Sequence, residues 1–368
     1  MKEIRSIIQA YQSLDPAGTR AALATVARVE GSSYRRAGAR MLVREDGTFV
    51  GGISGGCLEG DALRRAQKAI AQNKPSVVTY DTTQEDSHQI GVGLGCNGII
   101  DVLFTPLTAG GGNHPVQLLE RVAGTRTPRL MATVLQAEGH PGLLGRAVLL
   151  ETEEEFRLSL PVEELAGPLL ADARQCLEKE TSQTKQYLLA SGSLTVFLEV
   201  LVPDTHLVLC GGNYDIYPLV RMAGELGWKT TVVMNPARAD KSLFEMADVH
   251  PASRPQLPVI DRYTAVVLMA HDYEKDFTRL QAVLPTAARY IGLLGPRKRS
   301  QKMFDALAAT GAPLSEANLQ RIHAPAGLDI GAATPEEIAL SILAEIRAHF
   351  NGRAGMPLRQ RSGTIYGD

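Results

Sequence analysis

Cysteine is scarce in this chain. Its 368 residues carry four, Cys57, Cys96, Cys176 and Cys210, far apart and with no C-x-x-C pair. That spacing excludes a disulfide framework and a zinc ribbon, and suits the reduced thiols of a cytoplasmic protein. Excess charge is missing as well. Lys and Arg total 38 against 40 Asp and Glu, and a net charge of −2 leaves no electrostatic footprint for nucleic acid or an anionic membrane. No apolar run is long enough to cross a bilayer. Met1-Lys2-Glu3-Ile4-Arg5 opens a helix-like pattern (Ile4, Ile7, Ile8, Tyr11, Leu14) where a secretory leader would place an apolar block. The expectation is a cytoplasmic globular protein with neither nucleic acid nor membrane as partner. Its length exceeds the usual size of one core, so two domains are the starting assumption.

The first half has the pattern of an α+β domain. Ala21–Glu30 and Ala39–Arg44 have strand character, Asp46-Gly47 forms a hairpin turn, and Thr48–Ile53 returns. Leu58–Gln72 follows as a helix with Leu58, Ala62, Ala66, Ala69 and Ile70 near one face, ended by Pro75. Strands are expected at Ser76–Tyr80, Ile99–Phe104, Leu130–Gln136, Arg146–Leu150 and on both sides of Ser191-Gly192, with a helix over Val162–Glu178 and a surface loop over Thr108–Pro115. The later strands look like more of the same domain.

From His206 the rhythm becomes β-α-β-α: strands Leu207–Cys210, Thr230–Met234, Thr264–Ala270 and Arg289–Leu294, each followed by a helical pattern. This alternation predicts a doubly wound parallel sheet. Thr334, Pro335 and Glu337 form a capping box for the last helix. The fold class is therefore α/β, an N-terminal α+β domain (1–203) followed by a Rossmann-like domain (204–350) and a tail (351–368).

Within the first domain, Gly51-Gly52-Ile53-Ser54-Gly55-Gly56-Cys57-Leu58-Glu59-Gly60-Asp61 runs from a strand into a helix. Glycines let a ligand approach the main chain, and a helix N-terminus is a seat for phosphate. Cys57 sits where that field favours thiolate over thiol. The alternative is a tight turn with a small buried cysteine. A second glycine loop, Gly91 to Gly98, carries Cys96.

In the second domain Gly211-Gly212-Asn213 occupies the turn where nucleotides bind such sheets, but Asn213 stands where G-x-G-x-x-G wants glycine and Met234 closes the second strand where an acid would bind ribose. NAD(P) is not expected at an ordinary site here. His271 and Asp272 lie at the end of one strand, either as a general base and its neighbour or as hydrogen-bonded strand-end residues. Arg297-Lys298-Arg299 follows Gly295-Pro296 at a helix start, either an anion site or a solvated basic turn. Asp329, in Gly327-Leu328-Asp329-Ile330-Gly331, is a turn-former or a ligand contact.

Taken together, Gly31-Ser32-Ser33-Tyr34-Arg35-Arg36-Ala37-Gly38-Ala39-Arg40-Met41, the Gly51–Asp61 run, Gly93-Leu94-Gly95-Cys96-Asn97-Gly98, His271-Asp272, Tyr290 to Gly295 and Gly327 to Gly331 resemble the XdhC/CoxI family, in its order and over nearly the full length. The resemblance implies a maturation factor for molybdenum hydroxylases such as xanthine and carbon monoxide dehydrogenases. Such a factor binds molybdenum cofactor, as molybdopterin or its dinucleotide form, and hands it to the apoenzyme. It is more a chaperone than a catalyst, with a cysteine desulfurase as a further partner and self-association into a homo-oligomer. On this basis the cofactor contacts are expected from Arg35, Arg36, Arg40, Ser54, Gly55, Gly56, Cys57, Glu59, Gly95, Cys96, Asn97, Gly211, Gly212, His271, Asp272, Gly295, Arg297 and Asp329, with Cys57 as metal ligand. The alternative is a nucleotide-dependent oxidoreductase acting through His271.

Overall fold

The computed structural model describes residues 1–15, 19–83, 98–107, 114–253, 256–362 and 365. It divides into two compact units, Met1–Pro203 and Asp204–Asp368.

The first unit runs α1 (Lys2–Gln12), β1 (Ala21–Gly31), β2 (Arg40–Arg44), β3 (Phe49–Gly51), α2 (Glu59–Gln72), β4 (Ser76–Asp81), β5 (Gly98–Leu107), α3 (Pro115–Val122), β6 (Arg129–Glu138), β7 (Ala147–Leu149), α4 (Glu153–Ser159), α5 (Glu163–Lys179), β8 (Gln183–Leu189) and β9 (Gly192–Leu201). These strands form two antiparallel sheets, ordered β3-β2-β1-β5-β4 and β7-β6-β9-β8. β1 is apolar almost without alternation because both of its faces are covered. Ala22, Ala24 and Val26 pack with Ala62, Ala66, Ala69 and Ile70 of α2. Ala27 meets Leu135 and Phe197 of the second sheet. The small alanine face of α2 lets the helix lie close to the sheet. It stops at Asn73, whose left-handed backbone turns its N–H back to the carbonyls of Ala69 and Ile70. On the other side of the second sheet, α4 and α5 bury Phe156, Leu165, Leu169 and Ala173.

The later strands form a sheet of their own packed on the first, within the same compact unit. Part of the expected Thr108–Pro115 loop is helix boundary instead: Nδ1 of His114 accepts from Gln117 N at 3.4 Å and Pro115 takes the first position of α3. The strands, α2 and α5 otherwise lie within a few residues of their expected ends.

The second unit contains β10 (His206–Cys210), α6 (Ile216–Glu225), β11 (Lys229–Met234), α7 (Lys241–Met246), β12 (Asp248–Pro251), β13 (Thr264–Leu268), α8 (Tyr273–Val283), β14 (Tyr290–Leu293), α9 (Arg297–Ala309), α10 (Glu316–Arg321), β15 (Ile322–His323) and α11 (Pro335–Phe350). Its six-stranded sheet is parallel throughout, ordered β12-β11-β10-β13-β14-β15. The chain starts at the centre with β10, moves outward to β12, then returns to build the other half from β13. Helices on both faces bury the sheet, so β10 (His-Leu-Val-Leu-Cys) is buried at every position. Such reversals leave a crevice beyond the carboxyl ends of the two central strands. The expected capping box of the last helix is present, with Glu337 N donating to Thr334 Oγ1 at 3.3 Å and Thr334 N to Glu337 Oε2 at 2.9 Å.

Candidate functional site

In the first unit the antiparallel order brings the C-termini of β3, β1 and β4 and the N-termini of β2 and β5 to one end of the five-stranded sheet. Three of the motif segments therefore begin or end there: 31–39, 52–58, and the segment flanked by Thr82 and Gly98. These two flanking residues are clasped. Thr82 N donates to Gly98 O at 2.9 Å, and Gly98 N to Thr82 Oγ1 at 2.9 Å. A Cβ on Gly98 would collide with the Ser32 carbonyl oxygen, so glycine is what allows β5 to start against the 31–36 segment. Gly95, Cys96 and Asn97 lie outside the described residues.

The Ser54 turn is held from within. Ser54 Oγ accepts from Leu58 N at 3.0 Å and Gly56 N at 3.2 Å and donates to the Glu59 carboxylate, which also accepts from Ser54 N at 2.8 Å. Burial works against the Glu59 charge, but the hydrogen bonds from Ser54 outweigh it and hold the carboxyl below its ordinary value. Glu59 and Asp61 both lie in the first turn of α2, so the helix dipole already meets two of the chain's own carboxylates. What the turn presents outward is backbone and sulfur. Gly55 and Gly56 are exposed, and Gly56 has φ +112° with open space where a Cβ would be. The Tyr34 ring, 66% exposed, lies over Gly55, 3.3 Å from the position of a Cβ there. Cys57 is half-buried and unpaired.

The arginines divide. Arg36 is exposed, and Arg35 is half-buried and paired with Glu3. Arg40 is withdrawn from any ligand. Its side chain is 0% exposed, ion-paired with Glu199 of β9 and donating to the Gly38 carbonyl at 2.7 Å, which makes it a strut between the two sheets. The expectation of Arg40 as a cofactor contact is corrected on that ground, because a desolvated, paired guanidinium offers nothing to a ligand.

In the second unit a cleft of about 700 Å³ opens at the ends of β10, β11 and β13, against one face of α8. Gly211 and Gly212 line it, with Asn213, Met234, Arg238, Lys275 and Arg279. His271 follows the end of β13 in left-handed backbone (φ +56°), and its Nε2 is 2.6 Å from Asp215 Oδ2. Asp272 caps α8, accepting from Lys275 N at 3.1 Å, and the Lys275 ammonium, with this backbone bond second, holds its carboxyl below the ordinary value. Gly295 and Arg297 stand at the end of β14, and Asp329 is exposed in the loop after β15. The sheet thus gathers these residues along one edge, but only the two glycines line the cleft. Of the basic turn, Arg299 folds inward to the buried Asp276 at 2.6 Å, while Arg297 and Lys298 face solvent. Burial pushes the Asp276 carboxyl up despite bonds from Ala270 N and Arg299.

Sequence reasoning missed Asp215 as the partner of His271 and missed Arg238, Lys275 and Arg279 on the cleft wall. An acid just before a helix start was the available signal for the first. The others needed the fold. Among the described residues, no group of three or more His, Cys, Asp or Glu side chains is arranged to hold a metal ion, and no helix is long and apolar enough to cross a membrane.

Known proteins match over both units. Residues 15–81 match the XdhC and CoxI family, and residues 207–346 match the XdhC Rossmann domain. A protein of Bacillus subtilis (strain 168), named as a probable xanthine dehydrogenase subunit, is 30% identical over 331 residues, 89% of this chain and 92% of the relative. The chain belongs to the XdhC and CoxI family. The molybdenum cofactor insertion chaperone PaoD of Escherichia coli (strain K12) is 25% identical over 93% of this chain and 86% of its own. A crystal structure described as a xanthine dehydrogenase from Bacillus halodurans superposes with a TM-score of 0.70 at 28% identity, covering 98% of each chain. As in the family's two matched regions, this XdhC/CoxI protein joins an α+β unit to a Rossmann-like one.

Proposed function

We propose that this protein is a maturation factor for a molybdenum hydroxylase of the xanthine or carbon monoxide dehydrogenase type, which binds molybdenum cofactor and delivers it to the apoenzyme in the cytoplasm. One observation carries the proposal: the 31–36 and 52–58 segments meet at one end of one sheet, where the Tyr34 ring lies over Gly55, two residues from Cys57. The names of the relatives support it, one being called a molybdenum cofactor insertion chaperone.

The cargo is a pterin with a phosphate and a dithiolene-bound metal. Tyr34 offers a π-face for the pterin, the exposed Gly55–Gly56 backbone allows close approach, and Arg35 and Arg36 answer the phosphate. Cys57 supplies one soft ligand to a metal whose dithiolene sulfurs arrive with it. A single protein ligand suits a carrier, because the metal must leave again. The terminal sulfur of the metal would come from a cysteine desulfurase, and no turnover by the carrier is required.

Molybdenum and pterin fluorescence measured on protein purified without oxygen test this directly. Wild type should carry both, and Cys57→Ser should retain less while keeping its fold. Equal retention in the two discards Cys57 as a ligand, and a wild type that cannot be loaded discards the proposal. The oxidoreductase alternative draws on the Asp215–His271 pair, and nicotinamide-dependent turnover lost in His271→Ala would favour it.

A further inference from the structure

We propose that the cleft in the second unit binds a nucleotide whose ribose carries a 2′-phosphate, with Arg238 as the residue that recognises that phosphate. At about 700 Å³ the cleft is in the range of small-ligand sites and lies where the strand order reverses between β10 and β13. One side is small and apolar, with Gly211, Gly212, Met234 and Ala270, and suits a flat base.

The end of β11 decides the ribose chemistry. In such sheets an acid there accepts the two ribose hydroxyls, whereas an arginine accommodates a 2′-phosphate. Met234 occupies this corner without an acceptor, pressed so near Gly212 that a Cβ there would lie 3.0 Å from its side chain. The Oδ1 of Asn235 is used by Ala237 N at 3.1 Å. The next polar side chain on the wall is Arg238, exposed and, among the described residues, without an ion-pair partner. The neighbouring cations are engaged: Arg279 donates to the Ala252 carbonyl at 2.6 Å, and Lys275 pairs with Asp272 at 2.9 Å. They add positive field against the single carboxylate of Glu274 on the same wall and leave Arg238 to make the contact. Its guanidinium stays charged at any working pH and matches a phosphate with two parallel N–H groups. The missing acid therefore argues against a ribose with a free 2′-hydroxyl, not against nucleotides as such.

Every nucleotide also carries a 5′-phosphate, so the test must tell the two phosphates apart. Calorimetry on the full chain with 2′-phospho-ADP-ribose, ADP-ribose and CMP separates them. The expected result is 2′-phospho-ADP-ribose binding about tenfold or more tighter than ADP-ribose, the worth of one charge-assisted pair, with the ratio falling to about one in Arg238→Met. CMP and ADP-ribose binding that both weaken about tenfold in Arg238→Met, with no preference for the 2′-phosphate, overturns the proposal by assigning the contact to the 5′-phosphate. Affinities that Arg238→Met leaves unchanged, or no binding of any of the three at millimolar concentration, overturns the proposal. Arg238 lies on the surface of a short turn, so circular dichroism should show the variant folded. Molybdenum retention by the same preparations is independent of this outcome.

Discussion

Asp215 Oδ2 lies 2.6 Å from Nε2 of His271, joining the turn after β10 to the turn after β13 where the sheet reverses its strand order. Asp215 is 13% exposed and His271 50%, so the carboxylate is the anchored member and the imidazole the presented one. His271 sits at φ +56°, a conformation that costs a non-glycine residue about 1–3 kcal/mol. Asp215→Ala removes the bond and keeps the strain. Its expected cost is about 1–2 kcal/mol, reduced from a fully buried pair because the ring is half exposed. His271→Gly loses the same bond but relaxes the backbone, so its thermal midpoint should fall less. Equal falls would show that the strain is negligible.

Arg40 and Glu199 form a buried ion pair that ties β2 to β9. Breaking it from one side leaves a charge in the interior, and Glu199→Gln should cost about 3–5 kcal/mol in urea unfolding followed by circular dichroism. Arg40→Met with Glu199→Leu together should regain most of that, since neither charge is then stranded. A double variant as unstable as the single one would mean that the pair contributes more than its own desolvation.

Thiol chemistry separates the cysteines. Burial pushes the Cys210 thiol up to about 12 and raises that of Cys176. Neither should be alkylated appreciably by iodoacetamide at pH 8 in the folded protein, whereas half-buried Cys57 should react before either of them. Peptide mass spectrometry over a time course measures the order. Labelling of Cys210 as fast as Cys57 would contradict the packing of β10.

Acid should loosen the Ser54 turn. The folded Glu59 carboxyl titrates below its ordinary value of 4.5, so its contribution to stability is present in full above that pH and is lost as pH falls through the lower, folded value. Glu59→Gln should therefore be less stable than wild type at pH 7, with the gap in thermal midpoint narrowing by pH 3. A gap that stays constant would place the effect of the substitution in packing and not in charge.

Periodicity made most of the elements legible, because it is a local property. The Thr334 capping box and the β-α alternation after His206 needed only neighbouring residues. Pairings across long separations were not legible. Arg40 and Glu199 are 159 residues apart, and Asp215 and His271 are 56 apart. Nothing near Arg40 in the chain distinguishes it from Arg35 and Arg36, and only the second sheet, with Glu199 at its centre, takes it out of the site. The Ser54 turn was legible as a special turn. That its hydroxyl and Glu59 satisfy each other was not, since either side chain alone has the chemistry of a ligand contact.

The Thr82–Gly98 clasp has a consequence for how this end of the protein can vary. Three backbone groups and one hydroxyl fix the feet of the intervening stretch, and the pairing Asp81 to Ile99 is set just below them. The chain that joins these two feet therefore meets a sheet end already closed by its own hydrogen bonds. The register of β4 against β5 stays where it is.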